Sequence, residues 1–194
     1  MKLVLATHNA HKVEELRRIL GTSLDGIELV AYDGPEPVED GETFEANALI
    51  KARAAAAYSG LPAIADDSGI SVAALGGEPG IHSARYAGTR VDADNVALLL
   101  ANLTGVTDRA ATFVCAAAFV YGEVEHVVRG EWPGTVLESV VGANGFGYDP
   151  VFQPAGLDVS SAELSADEKN AISHRARAFG ALMPLVLVGL DQLD

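Results

Sequence analysis

The chain has 194 residues, a formal net charge of −14 and 49% hydrophobic residues, enough for one substantial α/β domain, or for two lobes sharing a sheet, around a buried core. The charge argues against a nucleic-acid polymer as partner, because that binding needs cations to neutralise many phosphates, but it leaves small phosphorylated ligands open. The longest apolar cluster, ALMPLVLVGL, is far shorter than the roughly 20 residues of a membrane span, and the N-terminus lacks the apolar region of a signal peptide, so we expect a cytoplasmic protein.

The first half of the chain reads as β, α, β, loop, α. An apolar run followed by apolar residues at helical spacing indicates a buried strand and then a helix. The alanine-rich stretch is the clearest helix, and Asn47 and Lys51 share a face of it because they lie four residues apart. In order, we predict a strand at 2–6, a helix ending at Gly21, a strand at 27–32, an acidic loop at 33–42 and a helix at 43–60.

The second half mixes a hairpin with strand and helix signals, which predicts a mixed rather than a purely parallel sheet. No repeat or linker divides the chain, so we expect a single domain over 1–194. The single cysteine, Cys115, lies in an apolar stretch and is predicted to be a small buried hydrophobe. In order, we predict a strand at 61–65 that ends at once in DDSG, a loop at 76–90, a helix at 92–103, two strands joined by a turn at 121–123, a glycine-rich segment at 142–152 and a helical segment with a capping box, Ser165 with Glu168.

Acidic residues are the first candidates for chemistry. Asp66 and Asp67 follow an apolar strand, and open α/β sheets place ligand sites beyond strand ends. Adjacent residues of a strand point to opposite faces, so the two carboxylates need not share a role. The alternative is an Asx turn, since Asp-Asp-Ser-Gly is good turn chemistry. The acids of the 33–42 loop, Glu39 among them, can equally be a solvated charge cluster.

The turn THNAHK, residues 7–12, connects the first strand to the first helix without a glycine. It therefore cannot be a glycine-rich phosphate loop. Lys12 lies at the positive end of the helix dipole, a poor place for a cation unless an anion binds there; alternatively its side chain bends into solvent. His8 and His11 could ligate a metal, but no third ligand stands nearby.

Two further segments suit a nucleoside. In GFGYDP the glycines permit close backbone approach, and Phe146 and Tyr148 offer a stacking face; the alternative is a turn with a buried aromatic. In the triplet SHR, Arg175 is either a planar donor for a carbonyl or half of a surface pair with His174.

Together, five ordered motifs resemble the inosine triphosphate pyrophosphatase family, also called non-canonical purine NTP pyrophosphatases. They are TxNxxK at 7–12, TFxxNAxxKA at 43–52, ADDSG at 65–69, GFGYDP at 145–150 and KNAISHR at 169–175. The resemblance covers nearly the whole chain. It implies a mixed α/β fold with an elongated central sheet flanked by helices, two lobes with the active-site cleft between them, usually a homodimer, and Mg²⁺-dependent hydrolysis of ITP, dITP or XTP to the monophosphate and pyrophosphate.

The resemblance also implies residue roles. It assigns the triphosphate to Thr7, His8, Asn9, Ala10, His11 and Lys12, chiefly to Thr7, Asn9 and Lys12. It assigns the metal to Glu39 and Asp67, and it makes Asp67 the base for the attacking water. Asp66 and Lys51 are expected to lie close to these two residues, and Ser68 is expected to contact the substrate. It assigns the nucleoside end to Phe146, Gly147, Tyr148, Asp149, Lys169, His174 and Arg175. His8 departs from the small or polar residue usual at its position, where the backbone can supply the contact.

These roles are chemically reasonable. Mg²⁺ and lysine neutralise charge on the bridging oxygens, and a carboxylate orients the attacking water. Donors from Arg175, His174 or Lys169 suit a 6-keto group and would face an amino group in ATP. GTP shares the keto group, so its exclusion must use the 2-amino position. Rival interpretations are a related pyrophosphatase of the septum-inhibitor type and a non-catalytic nucleotide sensor.

Overall fold

The computed structural model describes residues 1–191, and only the backbone of residues 22 and 191. Within that range six strands and five α-helices follow one another along the chain. They are β1 (Lys2–Leu5), α1 (Ala10–Leu20), β2 (Glu28–Ala31), α2 (Phe44–Ser59), β3 (Ala63–Val72), α3 (Asp92–Asn102), β4 (Ala110–Tyr121), β5 (Val124–Val136), β6 (Phe152–Pro154), α4 (Ala166–Ile172) and α5 (His174–Asp191).

The strands form one mixed sheet in the order β2-β1-β3-β4-β5-β6. Strand β1 pairs in parallel with β2 and β3, whereas β5 and β6 are antiparallel. The predicted mixed α/β architecture is therefore confirmed, as is the turn between β4 and β5. Among the described residues, no helix is long and apolar enough to cross a membrane.

The chain divides into two compact units, each with its own apolar core. The first unit comprises Met1–Asp67, Cys115–Gly130 and the chain from Arg175 onward, and the second comprises Ser68–Val114 and Glu131–His174. The first core packs side chains of β1, α1, β4 and α5, including Leu5, Leu16, Phe119 and Phe179, and takes in Cys115 as predicted. The second packs side chains of β3, α3, β4 and β5, including Ile70, Leu99, Phe113 and Trp132. A single domain over 1–194 with a cleft between lobes stays a prediction.

The predicted end of the third strand is wrong. Strand β3 does not stop at DDSG but continues through Asp66, Asp67, Ser68 and Gly69 to Val72, which also rules out the Asx-turn alternative. Tertiary contacts override the local turn preference. A Cβ on Gly69 would lie 2.4 Å from the Gly80 carbonyl oxygen and from Ser83 Oγ, so this glycine permits a close approach rather than a turn. The two aspartates therefore lie within a strand and face opposite sides.

The C-terminal helical segment contains two helices. The predicted capping box is confirmed at the start of α4, where Ser165 N–H donates to Glu168 Oε2 at 2.8 Å and Glu168 N–H donates to Ser165 Oγ at 3.3 Å. Helix α4 ends at Ser173, whose backbone is extended, and α5 then continues through Pro184. The 76–90 stretch, predicted as a loop, includes a 3₁₀ helix at Gly80–Arg85.

Candidate active site

Side-chain hydrogen bonds shape the turn between β1 and α1. Asn9 caps α1, because its Oδ1 accepts from the backbone N–H of His11 at 3.0 Å and of Lys12 at 3.3 Å. Thr7 Oγ1 accepts from Asn9 N–H at 3.2 Å. These bonds satisfy amides that a helix start leaves without partners, so the turn needs no glycine. An anion at this end of α1 would meet the side chains of Thr7, Asn9 and Lys12.

The two histidines of this turn and Ala10 are exposed. The His8 ring lies 5.4 Å from the Tyr32 ring, and its Nδ1 is 4.0 Å from Glu36 Oε1. His8 therefore packs beside an aromatic and an acid at the edge of the turn. Its predicted contact with phosphate stays a prediction.

Asp66 is wholly buried and is bound by two cations. Its Oδ2 accepts from Lys12 Nζ at 3.0 Å and from Arg175 Nε and Nη2 at 3.4 and 3.3 Å. Burial by itself raises the pKa of Asp66, but Lys12 and Arg175 outweigh it and hold the pKa well below its usual value. Asp66 is therefore a stable anion and a poor base. It also offsets the unfavourable place of Lys12 at the helix start, and the Lys12 side chain is only 15% exposed rather than turned to solvent.

Arg175 links this cluster to a second buried acid. Its Nη1 donates to Glu15 Oε2, while Nε and Nη2 reach Asp66. Arg175 is 1% exposed and Glu15 9% exposed. A planar guanidinium with several donors is suited to binding two carboxylates at once. In this structure Arg175 is thus part of the Asp66 cluster, and its assignment to the nucleoside end stays a prediction.

Asp67 faces the other side of β3 and has different neighbours. Its Oδ1 accepts from Lys51 Nζ at 2.9 Å, and its Oδ2 accepts from Asn47 Nδ2 at 3.4 Å. Burial raises the pKa of Asp67 above its usual value, although Lys51 opposes the shift. Burial lowers the pKa of Lys51, but Asp67, Asp66 and Glu39 together raise it above its usual value, so Lys51 stays charged. The two adjacent aspartates have opposite pKa shifts, an arrangement that separates a base from a fixed charge.

Glu39 completes this second cluster. Its Oε1 lies 3.2 Å from Lys51 Nζ, so Glu39 and Asp67 share one ammonium ion and their carboxylates already hold a cation between them. Among the described residues, no group of three or more His, Cys, Asp or Glu side chains is arranged to hold a metal. Mg²⁺ commonly binds through one or two carboxylates together with water and substrate phosphates. A two-carboxylate site therefore fits Mg²⁺, with water and substrate phosphates as the further ligands.

The second unit contains a buried cluster around Asp149. Asp149 Oδ2 accepts from Lys169 Nζ at 2.6 Å and from Phe146 N–H at 2.9 Å, while Oδ1 accepts from Ser161 Oγ at 2.7 Å. Lys169 Nζ also lies 5.1 Å from the centre of the Phe146 ring, within the range of a cation–π contact. A Cβ on Gly145, where φ is +73°, would lie 2.1 Å from Asp149 Oδ2. Asp149 thus binds both the glycine-rich segment, through Phe146 N–H, and Lys169 on α4.

The remaining predicted residues of this unit differ in exposure. Tyr148 is buried, and its hydroxyl donates to the Ser83 carbonyl oxygen at 2.8 Å, so Phe146 is the more accessible of the two predicted stacking rings. Gly147 N–H donates to Asp92 Oδ2 at 2.7 Å. His174 is buried and stacks on Phe113 with ring centres 4.8 Å apart. Ser68 is half-buried in β3.

Comparisons with known proteins show the family of this chain. The Ham1 family model matches residues 3–185. The chain belongs to the Ham1 family. A dITP/XTP pyrophosphatase of Leifsonia xyli subsp. xyli is 55% identical over 190 residues, 96% of each chain. One of Mycobacterium tuberculosis is 53% identical over 191 residues, 94% of each chain.

Solved structures give the same result. The Ham1 protein of Staphylococcus aureus superposes with a TM-score of 0.88 at 37% identity, covering 97% of this chain and 100% of that one. A nucleoside-triphosphatase, dITP/XTP pyrophosphatase, of Mycobacterium abscessus has a TM-score of 0.77 at 46% identity, covering 96% of this chain and 100% of that one. The family predicted from the five motifs is confirmed.

The residues assigned from the resemblance fall into two sets within this Ham1 chain. The first unit contains Thr7, His8, Asn9, Ala10, His11, Lys12, Glu39, Lys51, Asp66, Asp67 and Arg175; the second contains Ser68, Phe146, Gly147, Tyr148, Asp149, Lys169 and His174. Assigned phosphate and metal residues thus belong to one unit, and all assigned nucleoside residues except Arg175 belong to the other. Their roles stay predictions.

Sequence reasoning gave no role to several residues that bind assigned ones in this Ham1 chain, among them Asn47, Glu15 and Ser161. Asn47 stood out through its spacing from Lys51 but received no role. Glu15 lies three residues after Lys12, on the same face of α1, and that spacing was the available signal. Ser161, which donates to Asp149, had no distinguishing pattern.

Proposed function

We propose that the chain is a nucleoside triphosphate pyrophosphatase that hydrolyses dITP, ITP and XTP to the monophosphate and pyrophosphate and so removes non-canonical purine nucleotides. The proposal rests on the adjacent aspartates of β3: Asp66 is fixed as an anion beside Lys12, and Asp67 faces Lys51 with a raised pKa. Family membership and the names of the relatives support it. We further propose that it acts in the cytoplasm as a homodimer and requires Mg²⁺.

The triphosphate binds, in this proposal, at the start of α1. Lys12 supplies a charge that Asp66 holds in place, and Thr7 and Asn9 supply side-chain donors. The positive end of the α1 dipole adds to the attraction for anions. Binding energy in a chain with net charge −14 thus comes from locally placed cations.

Hydrolysis at the α-phosphorus needs a base and a positioned water. Asp67 takes the proton from the water as its oxygen bonds to the α-phosphorus, and the bond to the bridging oxygen breaks so that pyrophosphate leaves. Lys51 orients the carboxylate through Oδ1 and balances its charge. Glu39 and Asp67 would hold Mg²⁺, which when bound neutralises charge on the phosphate oxygens.

The purine is assigned to Arg175 and to residues of the second unit. Phe146 offers a stacking face, and Lys169 and His174, together with Arg175, are the candidate donors to a 6-keto group. A site built on such hydrogen bonds rejects a ligand that leaves them unpaired by a factor on the order of 10⁴ or more. The amino group of ATP cannot accept these bonds, so ATP should be a poor substrate.

A substrate panel tests the proposal. With Mg²⁺, we expect pyrophosphate release from ITP, dITP and XTP, with kcat/KM for ITP exceeding that for ATP by a factor on the order of 10⁴. An Asp67→Asn variant serves as the control for contaminating activity and should lose most turnover while keeping its circular dichroism spectrum. Orthophosphate as the sole product would contradict the reaction, and equal turnover of ATP would contradict the selectivity. Preference for pyrimidine nucleotides would favour the septum-inhibitor type, and binding without turnover would favour a sensor.

A further inference from the structure

Asn47 is a buried amide at the centre of the Glu39, Lys51 and Asp67 cluster. It is 2% exposed and lies one turn before Lys51 on α2. Its Oδ1 accepts from Gly41 N–H at 2.9 Å, and its Nδ2 donates to Asp67 Oδ2 at 3.4 Å. One side chain therefore contacts both the loop that contains Glu39 and the carboxylate of Asp67.

Asn47 is one of the contacts that hold the loop before α2 against that helix. Residues 32–43 have no helix or strand, so Glu39 is not placed by regular secondary structure. A Cβ on Gly41 would lie 2.6 Å from Asn47 Oδ1 and 2.8 Å from Ala46 Cβ. The loop thus approaches α2 closely at a glycine and is hydrogen-bonded there by Asn47.

The second amide atom acts on Asp67. Lys51 binds Oδ1 of that carboxylate and Asn47 binds Oδ2, so both oxygens are engaged from one face of α2. An amide has its acceptor and its donor on two separate atoms, so one uncharged side chain can bind Gly41 through Oδ1 and Asp67 through Nδ2. Aspartate at position 47 would lack the donor, and alanine would lack both groups.

We propose that Asn47 is a positioning residue of the metal site, which sets Glu39 and Asp67 at the separation that one divalent cation needs. This inference rests on the proposed function. Mg²⁺ requires ligand oxygens at about 2.1 Å in near-octahedral geometry, so two carboxylates from separate segments must be held close together. Partners that orient metal ligands typically change metal affinity by about 10 to 100-fold when they are removed.

Direct metal binding tests the inference. Mn²⁺ is titrated into the full chain without nucleotide and the free ion is measured by electron paramagnetic resonance, for the wild type, Asn47→Ala and Gly41→Ala. We expect the Kd for Mn²⁺ to rise by at least about tenfold in both variants, and the Mg²⁺ concentration for half-maximal activity with ITP to rise in parallel. Gly41→Ala keeps the Asn47 amide in the chain but breaks its contact with the loop, because the new Cβ would lie 2.6 Å from Asn47 Oδ1.

Asn95 provides a matched control. It is also 2% exposed, and its amide binds Ala87 N–H at 2.8 Å and the Ala84 carbonyl oxygen at 3.3 Å, with no carboxylate among these contacts. Asn95→Ala should reduce the free energy of unfolding much as Asn47→Ala does, but leave the Kd for Mn²⁺ within twofold.

Two results would overturn the inference: unchanged Mn²⁺ affinity in Asn47→Ala and Gly41→Ala, or an equal loss in Asn95→Ala. A wild type that binds Mn²⁺ but releases no pyrophosphate from ITP would instead overturn the proposed function.

Discussion

Replacing Arg175 with methionine tests the contribution of the buried charges around Asp66. The substitution keeps a long side chain but removes the donors to Asp66 and Glu15, which are 1% and 9% exposed. Removing one partner of a buried ion pair costs about 3 to 5 kcal/mol, because a charge stays buried without compensation. For a chain of this length each kcal/mol lowers the melting temperature by about 2 to 4 °C, so we expect a decrease of about 6 to 20 °C.

A surface ion pair of the first unit is the matched control. Arg53 binds Glu125 through two hydrogen bonds of 2.7 and 2.6 Å, but its side chain is 54% exposed. Exposed pairs contribute about 0 to 1 kcal/mol, so Arg53→Met should change the free energy of unfolding very little.

Urea unfolding followed by far-ultraviolet circular dichroism measures both variants. The one tryptophan, Trp132, belongs to the second unit, and its fluorescence should be recorded alongside. A loss in Arg175→Met below about 1 kcal/mol, or equal to that in Arg53→Met, would refute the view that burial makes an ion pair costly to break.

Two further predictions concern the buried carboxylates. The pKa of Asp66 is lowered in the folded protein, so its contribution to stability is fully present above the unfolded value of about 3.9 and is lost as the pH falls toward the folded value. Below about pH 4 this group should add a slope of about 1.4 kcal/mol per pH unit to the free energy of unfolding. An Asp66→Asn variant measured over the same range should lack that slope. If the free energies of unfolding of the two proteins fall equally with pH in this range, the prediction is wrong. Gly145→Ala would place a Cβ against Asp149 Oδ2 at a residue whose φ is +73°, so we expect the protein to be destabilised by about 1 to 3 kcal/mol. The KM for ITP should rise because Lys169, which Asp149 binds, is displaced. An unchanged KM would show that Lys169 does not contribute to substrate binding.

Much of the framework could be read from local patterns. Helix α1 ends at Gly21 and α2 spans the alanine-rich stretch, because capping and propensity act over a few residues. The five motifs likewise led to the Ham1 family. The DDSG segment shows the limit of such reasoning. Its residues favour a turn, yet β3 runs through them because Gly69 packs against Gly80 and Ser83, which lie outside the segment that local turn preferences describe.

The paired aspartates show which features the sequence determined and which features only the tertiary structure determined. Alternation along a strand already indicated that Asp66 and Asp67 point to opposite faces. Which carboxylate has a lowered pKa and which a raised one was decided only by folding, since Lys12 and Arg175 reach Asp66 while Lys51 and Asn47 reach Asp67. A pKa depends on burial and on charges within a few ångströms, and those neighbours come from distant parts of the chain that only the tertiary structure brings together.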